Sequence, residues 1–77
     1  MIIFPEMLWN YLKENHYTVE QFAQKSGLTA EEVWTLLVGE PLEYGPAKKF
    51  IKFLGAETVR PMLNWKAIRK LKKSGHV

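Results

Sequence analysis

The spacing of residue types in this sequence does not suggest a catalytic site. The chain has no cysteine, which excludes thiolate zinc sites, disulfides and Cys–His nucleophile pairs. Its two histidines, His16 and His76, are far apart in the sequence, so we expect no metal site and no cofactor. The acids are scattered and indicate no Ser-His-Asp grouping, so we expect no enzyme activity. The chemistry that remains is binding, through charges and aromatic rings.

Charge divides the chain into two unlike parts. Residues 1–47 hold seven acids and two bases, a net charge of −5, whereas residues 48–77 hold nine bases and one acid, a net charge of +8. The basic part therefore attracts polyanions. Its last stretch predicts a basic amphipathic C-terminal helix over about 59–73, whose basic residues are Lys66, Arg69, Lys70, Lys72 and Lys73.

Several partners suit this basic C-terminal helix. It can bind nucleic acid, an acidic protein or an anionic membrane surface. It can equally be a solubilising tail, because lysines also suit the C-terminal end of a helix. A further possibility is attraction to the acidic part, within one chain or between two.

Length and hydropathy predict one small domain. Seventy-seven residues provide room for a single core, so we expect one domain over residues 1–77. An apolar fraction of 47%, with ten aromatic residues, is too high for a disordered chain. No apolar run is long enough to cross a membrane, and Met1–Phe4 followed by Pro5 resembles no secretory leader. We therefore expect a cytoplasmic protein without a membrane span.

Two helix-start signals follow one another in the acidic part. Thr18 and Thr29 each begin the pattern of a capping box, in which the threonine and the third helical residue exchange hydrogen bonds. The helix after Thr18 is predicted to end at Gly27, and the helix after Thr29 to end at Gly39. The pattern predicts a helix-turn-helix over about 18–38.

Three further helices are predicted around this pair. Pro5 suits the first turn of a helix that continues to about Asn15. A fourth helix begins near Pro46 and ends before Gly55, and Thr58 can cap a fifth that carries the basic stretch. No segment alternates apolar and polar residues with a period of two, so we expect no strand. The fold class is therefore all-α, a compact bundle of about five helices.

The turn between the second and third helices carries a resemblance to a known family. Ala23 is small enough for two helices to cross closely, Gly27 can adopt a positive φ, and Leu28 can fill the turn. Val33 and Leu36 are spaced to anchor the helix that follows. The string TVEQFAQKSGLTAEEVWTLLVG resembles the Xre, or lambda-repressor-like, helix-turn-helix family.

The resemblance covers roughly residues 8–54 and implies a lambda-repressor-like DNA-binding domain. Members of that family are bacterial or phage transcription regulators that bind double-stranded DNA, which here implies a possible homodimer. The third helix would enter the major groove, and the loop and helix start after it would lie along the phosphates. The residues implied at the DNA are Thr29, Ala30, Glu31, Trp34 and Thr35 in the third helix, and Tyr44, Lys48 and Lys49 after it.

The third helix also has features that suit a protein partner. In the second helix, Val19 stands where the family usually has a phosphate-binding Gln. The third helix has two acids, Glu31 and Glu32, in its first turn. A carboxylate can accept a hydrogen bond from the amino group of cytosine, yet it repels phosphates. On the same outward face, Trp34 and Val38 form an apolar patch of the kind that binds proteins.

The alternative function is therefore a helix-turn-helix fold reused as a protein–protein interaction module, such as an antirepressor-like modulator. Its docking residues would be Glu31, Trp34 and Val38. A different interpretation of Trp34 is that its ring packs into the core against the first helix or the last helix.

Overall fold

The computed structural model describes the backbone of residues 1–74 and the side chains of residues 1–71. Over these residues the chain is all-helical, has no strand and contains one isolated antiparallel bridge, between Ile3 and Leu63. The predicted fold class, an all-α bundle, is confirmed at this level. Its helices are α1 (Pro5–Glu14), α2 (Val19–Ser26), α3 (Ala30–Leu37), α4 (Tyr44–Leu54), α5 (Ala56–Val59) and α6 (Trp65–Ser74), with a 3₁₀ turn, Arg60–Met62, between α5 and α6.

Both predicted capping boxes are present. The Thr18 hydroxyl accepts from the Gln21 N–H at 3.1 Å, and the Gln21 side chain accepts from the Thr18 N–H at 3.0 Å. The corresponding distances for Thr29 and Glu32 are 3.1 Å and 2.8 Å. These bonds satisfy amides that the first turn of a helix leaves without partners, so α2 and α3 begin where the local sequence predicts.

Phe22 of α2 lies at the centre of the core and is fully buried. Its ring contacts Tyr11 at 6.0 Å between centroids and Tyr17 at 6.2 Å, both on the acidic side of the chain. On the other side it contacts Phe50 at 6.0 Å and Phe53 at 5.6 Å, both in α4. One aromatic cluster therefore joins the acidic part of the chain to the basic part.

The first four residues form an extended strap between two distant loops. The Leu42 N–H donates to the Met1 carbonyl at 2.8 Å, and the Phe4 N–H donates to the Met62 carbonyl at 2.7 Å. Ile2 and Ile3 are buried beneath these bonds. The strap thus contributes both backbone pairing and apolar area to the core.

The strap explains why the predicted basic helix over about 59–73 is divided. Leu63 takes an extended conformation opposite Ile3, and the Asn64 N–H donates to the Ile2 carbonyl at 2.9 Å. A helix cannot continue through residues paired in this way, so α6 starts at Trp65. The Asn64 side chain accepts from the Ala67 N–H at 3.2 Å and caps it. Thr58, expected as a cap, lies inside α5 instead.

The lengths and polarity of the described helices bear on membrane association. Among residues 1–74, no helix combines the length and the apolar character needed to span a bilayer.

Candidate nucleic-acid interface

The turn between α2 and α3 has the geometry that its sequence predicts. Gly27 adopts φ +81°, in the left-handed region that glycine tolerates best. The N–H groups of Gly27 and Leu28 both donate to the Ala23 carbonyl at 3.0 Å, which closes the end of α2. Val33 and Leu36 are fully buried beneath α3. The inner side of α3 therefore packs on the core, and its opposite side faces outward.

Two of the residues expected at the DNA, the N-cap Thr29 and Thr35 of α3, have hydroxyls that already bond to the helix backbone. The Thr29 hydroxyl accepts from the Glu32 N–H, and the Thr35 hydroxyl donates to the Glu31 carbonyl at 3.0 Å. Ala30 is partly buried against the core. The exposed side chains of α3 are those of Glu31 and Trp34.

A groove beside the first half of α3 is acidic. It is lined by three carboxylates, Glu31, Glu32 and Glu43, together with Thr29, Thr35, Pro41, Leu42 and Pro46. None of these eight residues is basic. A phosphate backbone that entered this groove would meet negative charge, with no base among the lining residues to offset it. The repulsion would weaken binding to DNA of any sequence.

Tyr44, Lys48 and Lys49, expected along the phosphates, do not form one cluster. The Lys48 ammonium lies 5.9 Å from the centre of the exposed Tyr44 ring, a cation–π contact at the start of α4. Lys49 extends towards α2 instead: its Cδ lies 3.8 Å from the position that a Cβ on Gly27 would occupy.

The C-terminal end of α2 gathers positive charge. Lys49 and Lys52 line a groove there with Ser26 and Phe53. The carbonyl end of a helix favours cations, so these two lysines complement α2 as well as facing solvent. Lys48 and Lys49 were predicted as phosphate contacts from the sequence, whereas Lys52 was not. Its position one helical turn after Lys48 and Lys49 could have indicated it.

α6 carries the basic residues predicted for the C-terminal helix. Lys66, Arg69 and Lys70 are exposed, whereas the side chains of Lys72 and Lys73 lie outside the described residues. Its apolar residues are exposed as well: Trp65 retains 54% of its accessible surface and Leu71 retains 50%. The helix is amphipathic, and its apolar side is only partly covered by the domain.

Trp34 is neither a core residue nor isolated on the surface. Its ring packs edge-on against Trp9 of α1, with 5.9 Å between centroids and 68° between planes. Trp9 and Trp34 retain 45% and 46% of their accessible surface, and Val38 retains 61%. The sequence analysis missed Trp9; its position immediately after the buried Leu8, off the apolar stripe of α1, is the signal that could have found it.

No grouping of three or more metal-binding side chains occurs among the residues that the structure describes. Comparison with family models, with characterised proteins and with solved structures finds no match to this chain.

Proposed function

We propose that this chain is a small helix-turn-helix transcription regulator that binds double-stranded DNA chiefly through its basic part. The residues that would contact phosphates are Lys48, Lys49 and Lys52 in α4 and Lys66, Arg69 and Lys70 in α6. The proposal assigns the affinity to these two helices and not to the outward face of α3. It implies a cytoplasmic protein of the lambda-repressor-like class.

The observation that carries the proposal is the uniform exposure of positive charge. Residues 48–71 contain seven basic side chains, and every one of them is exposed. One acid, Glu57, lies in the same range. Each base that meets a phosphate releases condensed counterions, and this release supplies most of the affinity of proteins for DNA of any sequence.

The helix-turn-helix supports a regulator over a general polyanion binder. The positive φ of Gly27, the two capping boxes and the buried anchors of α3 reproduce the features on which the resemblance to the Xre family depends. α3 then contributes to sequence preference in one way, by Glu31 accepting from a cytosine amino group. The acidic groove keeps that contribution small, because the carboxylates beside Glu31 repel the flanking phosphates.

The test is the salt dependence of binding to a fluorescently labelled duplex of random sequence, measured by anisotropy. If six bases contact phosphates, raising the salt from about 50 mM to about 200 mM lowers the affinity roughly 1000-fold. Replacing Lys66, Arg69 and Lys70 by alanine should reduce the slope of log affinity against log salt by about three.

A matched control uses bases of the acidic part. Lys13 and Lys25 are both exposed, and replacing both by alanine removes charge without touching α4 or α6. The slope for this variant should equal that of the unaltered chain. Absence of binding at the lower salt concentration, or equal losses in the control and the α6 variant, would contradict the proposal.

A further inference from the structure

Trp9, Trp34 and Val38 form an exposed aromatic face that bridges α1 and α3. The two indole rings contact each other, yet each leaves almost half of its surface in water. Exposed tryptophan pairs are costly to hydrate and are enriched at protein interfaces. The phosphate contacts proposed for α4 and α6 do not use Trp9, Trp34 or Val38.

The border of the aromatic face is mainly acidic. Glu6 precedes Trp9 by one turn of α1, and Glu31 precedes Trp34 by one turn of α3; both carboxylates are exposed. Glu40 follows Val38 after the turn at Gly39 and is exposed too. Lys13, one turn beyond Trp9, is the base on the same line of α1. An apolar centre with such a border suits a partner that is apolar and positively charged.

α6 of this chain has that chemistry. Trp65, Ile68 and Leu71 recur every three residues along it, and Lys66 and Arg69 lie beside them. Trp65 and Leu71 are half exposed, as are Trp9 and Trp34. Because both surfaces remain open in one copy, the aromatic face and α6 do not cover each other within the chain.

We propose that the aromatic face of one copy binds α6 of a second copy, and that the second copy returns the contact. Pairing two identical surfaces would bring like charges together. Two aromatic faces would place Glu6 and Glu31 of one copy near those of the other, and two α6 helices would place their bases together. Pairing the face with α6 joins opposite charges and buries tryptophan against tryptophan-containing surface. Reciprocal exchange of this kind closes on a twofold axis and stops at a dimer. Lys66 and Arg69 then face carboxylates of the partner copy, so the dimer and DNA compete for α6.

The first experiment measures mass by sedimentation velocity over a range of concentrations up to about 100 µM. The unaltered chain should form a dimer that dissociates as salt is raised, because the charged border is exposed to screening. Trp34→Ala should raise the dissociation constant at least about 30-fold. Met7→Ala is the control: Met7 is an exposed apolar residue of α1 that lines a different groove, with Pro61 and Met62, and its loss should leave the dimer unchanged.

The decisive experiment exchanges the charges. One variant carries Glu6→Lys and Glu31→Lys, which makes the face basic, and a second carries Lys66→Glu and Arg69→Glu, which makes α6 acidic. Each variant alone should be monomeric, since its face and its α6 now have like charge. An equal mixture of the two should form a heterodimer, because each face then meets an α6 of opposite charge.

All four charge substitutions lie on exposed positions, so circular dichroism should show both variants folded. This design keeps the proposal testable even where Trp34→Ala lowers the stability of the domain. A chain that stays monomeric at about 100 µM overturns the proposal and leaves the aromatic face to a different protein. A mixture of folded variants that stays monomeric also overturns it, whatever the unaltered chain does.

Discussion

α3 and α4 pack on the same aromatic core, but they present surfaces of opposite charge. Residues 28–47, which include α3 and the loop after it, hold four acids and no base; residues 48–54, the rest of α4, hold three bases and no acid. Phe50 of α4 contacts Phe22, and α3 contributes Val33, Leu36 and Leu37 to the same buried cluster. The packing of α3 on the core therefore does not by itself give its outward face the positive charge that DNA attracts.

The difference in charge between α3 and α4 also corresponds to a difference in the kind of partner that each region can bind. The basic helices α4 and α6 can attract phosphates of any sequence, whereas the aromatic face on α1 and α3 can recognise shape and apolar area. A domain of this size has few surfaces: α4 offers charge, α1 and α3 offer apolar area, and α6 exposes both.

Phe22→Ala should destabilise the acidic part and the basic part of the chain together. The ring contacts aromatic residues on each side, so its removal leaves a cavity at the junction and should lower the free energy of unfolding by about 3–5 kcal/mol. Chemical unfolding followed separately by circular dichroism and by tryptophan fluorescence would measure this. Two transitions at different denaturant concentrations would show that the acidic and basic parts unfold as separate units, contrary to the single core described above.

Neutralising α6 should weaken DNA binding more than neutralising α4. Replacing Lys66, Arg69 and Lys70 by alanine should lower the affinity about 100-fold, against about 10-fold for Lys48→Ala with Lys49→Ala. The reason is that Lys49 also complements the end of α2, where it extends towards Gly27. Anisotropy titrations at one fixed salt concentration give the ranking. The reverse order would favour repressor-like docking through the start of α4.

Gly27→Ala should weaken the turn that joins α2 to α3. The added Cβ meets Lys49 only at an ordinary contact distance of 3.8 Å, so the penalty, about 1 kcal/mol or more, comes from the positive φ. Gly45→Ala is the matched control, since Gly45 is helical and no atom lies within 4 Å of its added Cβ. We expect it to stabilise the protein by about 0.5 kcal/mol. Equal effects in thermal unfolding would mean that the turn is not strained by a side chain.

Glu31→Gln should have the smallest effect and the most informative one. Removing one carboxylate from the acidic groove should raise affinity for random duplex DNA about threefold. The amide can also donate, so the preferred sequence should change if α3 contacts bases. Selection of bound sequences from a random pool measures the preference, with Glu14→Gln in α1 as the control. An unchanged preference would remove α3 from base reading and leave its face to protein contacts.

Local rules predicted the starts of α2 and α3 and the turn between them. The starts of α2 and α3 depend on a threonine and the side chain three residues later, and the turn depends on a glycine free to adopt a positive φ. These interactions lie within a few residues of one another. The helix starts and the turn can therefore be predicted from the sequence, as can the uneven distribution of charge.

Long-range contacts decided the remaining features of the fold and the candidate sites. The apolar pattern after Thr58 is compatible with one helix, and only the pairing of residues 2–4 with residues 62–64 breaks it before α6. The contact of Trp34 with Trp9 and the separation of Lys48 from Lys49 likewise depend on how helices distant in sequence are packed. Capping and turn geometry were determined by the sequence because each depends on neighbours along the chain, and net charge because it is a sum over residue types. Which surfaces are half covered, and by what, was decided by the tertiary structure, because the packing of one helix fixes the exposure of the next.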